Sequence, residues 1–275
     1  ESLRKRKMTV YLFGEKVKNP VDHPIIRPSI NSVAVTYDVA NDLRYEELAT
    51  ATSHLTGEKI NRFTHVHQST QDLVKKVKLL RLLGQKTGIC FQRCVGMDSL
   101  NALSCVTFET DQKLGTEYYK RFTDYLKYVQ GNDLVCCGAM TDPKGDRSLR
   151  PSEQADPDLY LRIVEKRDDG IVVRGSKVHQ TGAVNSHEVI VMPTRAMRKE
   201  DKDYAVSFAI PSDTEGLIYI YGRQSCDLRK LEDIEIDLGN ARYSGQEAMI
   251  IFDDAFVPWE RVFMAGEYEF AFPLV

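Results

Sequence analysis

The sequence predicts an α+β protein: a mainly helical domain over residues 1–134, then a β domain of barrel or sandwich type over residues 135–275. Three observations carry that reading. Leu73, Val74, Val77, Leu80 and Leu83 recur at helical spacing with Lys75, Lys76 and Lys78 between them. Leu161–Lys166 and Ile171–Gly175 flank Arg167-Asp168-Asp169-Gly170, a hairpin pattern with Asp-Gly at the turn. From there on, short apolar runs alternate with polar turns, as in barrels and sandwiches.

Taken in order, the basic start Arg4-Lys5-Arg6-Lys7 leads into Met8–Phe13 and then into charge again, too short an apolar run for a signal peptide. Asn19-Pro20 to Pro28 is proline-rich and reads as an extended arm. Val33–Glu47 is mixed, with a short helix expected near Asn41–Glu47. The helix through Leu73–Leu83 is expected to end at Gly84. A second apolar-rich stretch covers Cys90–Val106, and Tyr118–Val129 makes a third helix with aromatic residues on one stripe. The character changes near Asp133, after which strands are expected at the hairpin and at Val189–Met192, Tyr204–Ile210, Leu217–Tyr221 and Ala248–Phe252. Because the chain starts at Glu1 and stops in the apolar Phe270–Val275, it is expected to be part of a longer one.

With 275 residues, 42% of them hydrophobic and 28% charged, the chain can bury a sizeable core. A net charge of -3 gives no general pull toward nucleic acid or an anionic membrane. No apolar run approaches the roughly 18–20 residues that span a bilayer. A cytoplasmic protein is expected, in which six cysteines act as core thiols, metal ligands or redox groups rather than as a disulfide scaffold.

Several local patterns could carry chemistry. In Cys90-Phe91-Gln92-Arg93-Cys94, a helical spacing would put both sulfurs on one face, open either to a cluster or to packing as buried thiols. Thr64-His65-Val66-His67 would place two imidazoles together, as a metal pair or as a hydrogen-bonded loop. The adjacent Cys136-Cys137 reads as core. Met140-Thr141-Asp142-Pro143-Lys144-Gly145-Asp146-Arg147-Ser148 marks a tight turn where Lys144, Arg147 and backbone N–H groups could hold a pyrophosphate, or simply a charged surface turn. Gly175–Gly182 replaces the strand pattern with small and polar residues, as where a backbone meets a planar ligand, or as in a loop. Glu247, in Gly245-Gln246-Glu247 ahead of an apolar strand, could serve as a base or be solvated. Neither a Rossmann nor a P-loop fingerprint is present.

Together these segments resemble the 4-hydroxybutyryl-CoA dehydratase family, within the 4-hydroxyphenylacetate 3-monooxygenase superfamily. The resemblance lies in Gly84-Gln85-Lys86-Thr87, Cys90–Asp98, Met140–Arg147, His179-Gln180-Thr181-Gly182, Tyr221–Asp227 and Gly245–Glu247, and also in Val21–Ser29. It runs over essentially the whole chain. The hairpins, Ile251–Asp254 and Val257-Pro258 are similar to acyl-CoA dehydrogenases in general.

That resemblance implies an acyl-CoA dehydrogenase-like fold whose C-terminal helix bundle is absent from this chain, assembled as a homotetramer. It also implies FAD and a [4Fe–4S] cluster. Cys90 and Cys94 would be cluster ligands, with a histidine and a cysteine outside this chain completing the set. Met140, Thr141, Lys144, Arg147, His179, Gln180 and Thr181 would bind the flavin, Thr181 near its reactive face. Gln92 and Glu247 would lie by the acyl-CoA substrate, with Glu247 assisting proton transfer. The implied reaction is a radical-type dehydration of 4-hydroxybutyryl-CoA to crotonyl-CoA, with isomerisation of vinylacetyl-CoA. The rivals are a flavin-dependent aromatic monooxygenase of the 4-hydroxyphenylacetate type, against which the cysteine pair argues, and a non-catalytic remnant of the fold.

Overall fold

In the computed structural model, residues 1–222 and 241–275 are described. Strands β1 (Thr9–Leu12) and β2 (Glu15–Val17) precede helices α1 (Arg27–Ala40) and α2 (Glu46–Ala49). A small ribbon, β3 (Thr50–Thr52) and β4 (Lys59–Asn61), leads to helices α3 (Thr70–Thr87), α4 (Cys94–Leu114) and α5 (Tyr118–Gly131). Then come β5 (Cys136–Ala139), β6 (Arg162–Lys166), β7 (Gly170–Thr181), β8 (Glu188–Val191), β9 (Val206–Pro211), β10 (Leu217–Tyr221), β11 (Glu247–Pro258) and β12 (Val262–Ala265).

These strands form a six-stranded sheet, β2-β1-β10-β11-β7-β6, and a four-stranded sheet, β12-β9-β8-β5. The two pack face to face, so the sandwich half of the expectation is met and, among the described residues, no barrel closes. Alternation in the smaller sheet shows why its strands read as continuous apolar runs. On β8, Val189 and Val191 face the larger sheet, while Ile190 faces the helices. On β9, Phe208 and Ile210 take the first side and Ala209 the second. The smaller sheet is therefore the middle layer, covered on its outer face by α4 and α5 through Leu100, Leu103, Phe122, Leu126 and Val129.

Residues 9–17, which chain order places with the helices, lie in the β layer: β1 runs parallel to β10, with Thr9 opposite Ile218. The aromatic helix stands as read, α5 burying Tyr118, Phe122, Tyr125, Leu126 and Val129. The hairpin also stands, Arg162 pairing with Arg174 and Lys166 with Ile171.

Two expectations are corrected, and one helical stripe proves to be only partly buried. Most of the mixed Val33–Glu47 is the body of α1, which starts at Arg27 with Pro28 in its first turn. The β-branched Val33, Thr36 and Val39 lower its local propensity, but their buried stripe at helical spacing overrides that. Gly84 does not end α3; the helix runs on to Thr87 and closes at Gly88, whose φ of 66° is the left-handed cap that glycine allows. Finally, α3 buries Leu79 and Leu83 but leaves Leu73, Val74 and Val77 exposed, so its apolar stripe is only half used here.

Candidate functional site

The cysteine pair is built differently from the helical reading. α4 begins at Cys94, and Cys90–Arg93 is a loop in which Gln92 adopts a φ of 67°. That left-handed turn, rather than a shared helical face, folds the chain back so that the two thiols act on one another at the start of α4. The Cys94 thiol donates to Cys90, which pulls the Cys90 thiol well below its usual range; the same bond, with burial, pushes Cys94 up. Cys90 is exposed and Cys94 half-buried.

Two buried side chains hold this loop. Arg93 is 2% exposed, with its guanidinium 4.6 Å from the centre of the Tyr37 ring and 4.9 Å from that of Phe63. It donates to Thr36 Oγ1 and to the Leu134 carbonyl. Gln92 Nε2 donates to the carbonyls of Ser244 at 2.8 Å and Ser29 at 3.3 Å, and its Oε1 accepts from Asn185 Nδ2 at 2.6 Å. Both ends of the Gln92 amide are thus engaged inside the protein, tying the cysteine loop to the segments that carry Glu247 and Thr181. Gly182, with a φ of 76°, makes room for this junction: a Cβ there would lie 2.8 Å from the Gln92 carbonyl oxygen.

The Gly175–Gly182 segment is strand as far as Thr181, with Gly182 the left-handed turn that follows. In the ladder Ala248 pairs with Gln180 and Ile250 with Lys177, so Val178 and His179 together stand opposite Met249, a β-bulge. His179 takes a φ of 57°, and the displaced Val178 N–H donates to the Thr141 carbonyl at 2.9 Å. Gln180 Nε2 donates to the same carbonyl at 2.9 Å. Lys177, 3% exposed, bonds the Met140 and Met192 carbonyls and pairs with Asp142 at 2.7 Å. The carbonyls of Met140 and Thr141 are thereby fixed from the β7 side.

Beside the bulge lies a cleft of about 450 Å³, bounded by Pro143 and Lys144 on one side and by His179, Glu247 and Met249 on the other. Thr181 Oγ1 donates to Glu247 Oε1 at 3.1 Å, and His179 Nδ1 stands 3.6 Å from Glu247 Oε2. The Glu247 carboxylate also acts on Cys90 as a neighbouring like charge, which places the two thiols toward the same region. The structure therefore brings His179, Glu247 and Lys144 to one cleft, with Thr181 bonded to Glu247 and Cys90 within its electrostatic reach. Met140, Thr141 and Gln180 do not line the cleft; their hydrogen bonds join β7 to the segment that leads into Pro143 and Lys144. Arg147 is exposed in the turn and does not line the cleft.

Other candidates fall away. His65 and His67 have ring centroids 6.0 Å apart, and His65 Nε2 lies 3.3 Å from Asp72. Apart from that Asp72 contact, the ring nitrogens of the two residues are buried without hydrogen-bond partners. Among the described residues no group of three metal-ligating side chains converges. Arg223–Asp227, including Cys226, lie outside the described residues, so only Tyr221 and Gly222 of that motif are placed. Sequence reasoning missed Lys177, Asp142, Asn185 and Ser244, whose roles arise from pairings across the fold; the glycine at 182 was the single local signal. No helix among the described residues is long and apolar enough to cross a membrane.

Comparison with known proteins agrees with the resemblance read from the sequence. The family model described as 4-hydroxyphenylacetate 3-hydroxylase N terminal matches residues 1–264. The 4-hydroxybutyryl-CoA dehydratase/vinylacetyl-CoA-Delta-isomerase of Clostridium aminobutyricum is 65% identical over 272 residues, covering 98% of this chain and 56% of the relative. The 4-hydroxyphenylacetate 3-monooxygenase oxygenase component of Thermus thermophilus is 29% identical over 98% of this chain and 54% of its own length. Among solved structures, an oxygen-tolerant archaeal 4-hydroxybutyryl-CoA dehydratase from N. maritimus superposes with a TM-score of 0.96 at 60% identity, covering 99% of this chain and 54% of that one. A 4-hydroxyphenylacetate 3-monooxygenase oxygenase component complexed with FAD gives 0.82 at 26% identity, covering 99% of this chain and 55% of that one. The chain spans about half the length of the curated relatives it matches. It belongs to the 4-hydroxyphenylacetate 3-hydroxylase N-terminal family.

Proposed function

We propose that the intact protein containing this chain dehydrates 4-hydroxybutyryl-CoA to crotonyl-CoA and isomerises vinylacetyl-CoA, using FAD and a [4Fe–4S] cluster. The observation that carries the reading is the pair of interacting thiols at the start of α4, one of them within electrostatic reach of the carboxylate that Thr181 holds. The 65% identity to the dehydratase of Clostridium aminobutyricum supports it.

The residues present fit both groups. Cys90 and Cys94 offer two soft donors, one favouring the thiolate that iron requires, and would supply half of the usual four protein ligands. Lys144 at the cleft, with Met140, Thr141 and Gln180 of the segments adjoining it, would hold the flavin. When bound, the flavin supplies one-electron chemistry and the iron Lewis acidity toward the departing hydroxyl. The chain's own residues handle the proton. A thioester acidifies the α-hydrogen, so a carboxylate beside the acyl group is suited to take it. Glu247 is half-buried, with Thr181 donating to one oxygen, which orients the other toward the cleft. Gln92 keeps the cysteine loop and the Glu247 strand in register.

The reading is tested by purifying the intact protein anaerobically, measuring iron, sulfide and flavin, and assaying 4-hydroxybutyryl-CoA. A cluster, a flavin and crotonyl-CoA formation are expected. Flavin without iron, with hydroxylation of a phenol, would move the assignment to the aromatic monooxygenases; neither cofactor would leave a non-catalytic remnant. Replacing Glu247 by Gln in the active enzyme should lower turnover by about 10²–10³. Near-normal turnover would remove Glu247 from the mechanism.

A further inference from the structure

We propose that His179 is a positioning residue for Glu247, and that the β-bulge at residues 178–179 exists to aim its imidazole at that carboxylate. The inference rests on the reading above for Glu247's role, but its geometry stands independently.

A regular strand would alternate residues 177–181 across the sheet, and His179 would lie on the same face as Lys177 and Thr181. Lys177 points inward to Asp142 and two carbonyls. Two residues opposite Met249 break that alternation. Left-handed backbone at a residue other than glycine is costly, and here it falls on a histidine flanked by well-formed ladder pairs on both sides. A glycine would relieve that cost. What the histidine adds is its ring, with Nδ1 3.6 Å from Glu247 Oε2. A small side-chain rotation brings this into hydrogen-bond range, with the proton on Nδ1 donated to the carboxylate. Thr181 already donates to Oε1, so with that rotation Glu247 would be held from both oxygens by two residues of the same strand. Two such donors would restrict the carboxylate to a single orientation, which proton transfer at a defined carbon demands.

The same bulge turns the Val178 N–H onto the Thr141 carbonyl, so one irregularity bears on both the carboxylate and the segment that carries Pro143 and Lys144 to the cleft. This links the His179 position to two parts of the site. It also separates backbone from side chain experimentally, since glycine and asparagine both accept the left-handed conformation.

The test uses His179→Gly and His179→Asn in the full-length protein. If the imidazole positions Glu247, His179→Gly keeps its fold and thermal midpoint, loses about tenfold or more in kcat and leaves KM nearly unchanged, and His179→Asn recovers part of the loss through its side-chain donor. His179→Gly turning over within about twofold of the parent would overturn the proposal, because the bulge would then matter without its ring. Histidine-labelled NMR of the metal-free protein supplies a readout that needs no turnover: the His179 ring signals shift on Glu247→Gln. Unmoved signals overturn the pairing even in an active enzyme. Shifted signals in a protein that does not dehydrate 4-hydroxybutyryl-CoA uphold the pairing and discard the proposed reaction.

Discussion

Two pairs of cysteines in this chain make opposite use of the same side chain. Cys136 and Cys137 are adjacent in sequence, yet β5 sends them to opposite faces: Cys136 packs under α4 and α5, Cys137 against the larger sheet. Burial raises both thiols, Cys136 to about 12. Cys90 and Cys94 are separated by three residues, yet a left-handed turn at Gln92 brings their sulfurs together. Their shared proton makes one of them a ready thiolate. Nearness along the chain therefore says little about nearness of the reactive atoms; the backbone path decides it.

The comparison is broken most directly by deleting one sulfur from each pair. Cys94→Ala in the intact protein should abolish iron binding and lower turnover by about a thousandfold, the loss of several kcal/mol of Lewis-acid assistance. Cys136→Ala should leave iron content unchanged and reduce stability by about 1–2 kcal/mol through lost packing. Iron analysis and denaturant melts of both variants check this. Equal iron loss in the two would mean that the strand pair, too, serves the site.

A gentler probe is chemical. In metal-free protein at neutral pH, iodoacetamide should alkylate Cys90 about tenfold or more faster than an unperturbed thiol, because the thiolate is the nucleophile. Cys136 and Cys137 should remain unmodified until the protein unfolds. Mass spectrometry of timed digests reads the order directly. Early labelling of Cys137 would contradict its place between the sheets.

What could be read in advance follows the same division. Strands β8 and β9 were legible as short continuous apolar runs, β10 and α5 by burial that repeats with period 2 or 3.6, and the hairpin by its Asp-Gly turn. Helix α1 was missed because its buried stripe consists of valines and threonine, whose local preference points elsewhere. Cys90, Cys94, Thr181 and Glu247 were legible as motifs. Their relation was not, since the turn at Gln92 and the bulge at His179 are both non-glycine residues with positive φ. Nothing in residue type announces such a conformation; it is imposed by the Gln92–Asn185–Ser244 bonds and by the ladder around Met249. Lys177 was read as part of a small polar stretch, and only the fold shows it buried on Asp142.

The smallest expected effect concerns what holds the structural pair in place. Val135, just before Cys136, donates its N–H to His187 Nδ1 at 3.1 Å, and the Ser2 hydroxyl lies 2.9 Å from Nε2. The imidazole is therefore neutral, its proton on Nε2 and its Nδ1 an acceptor. Burial, aided by Arg6 and Arg93, lowers its pKa from 6.5 to about 4. Between those values the unfolded chain binds the proton and the folded one does not, so stability is full above 6.5 and falls as the pH drops toward 4. The loss should reach about 1–3 kcal/mol at the acid end. Below that range the Val135 bond is lost and β5 loosens, while the cysteine loop, held by Arg93 and Gln92, has no such imidazole in its hydrogen bonds. Hydrogen exchange measured across that interval should quicken at Val135–Gly138 before it does at Phe91–Val95, and His187→Gln should flatten the acid side of the stability curve. Faster exchange first at Phe91–Val95 would show that acid acts through the cysteine loop instead, and that the buried pair is the better anchored of the two.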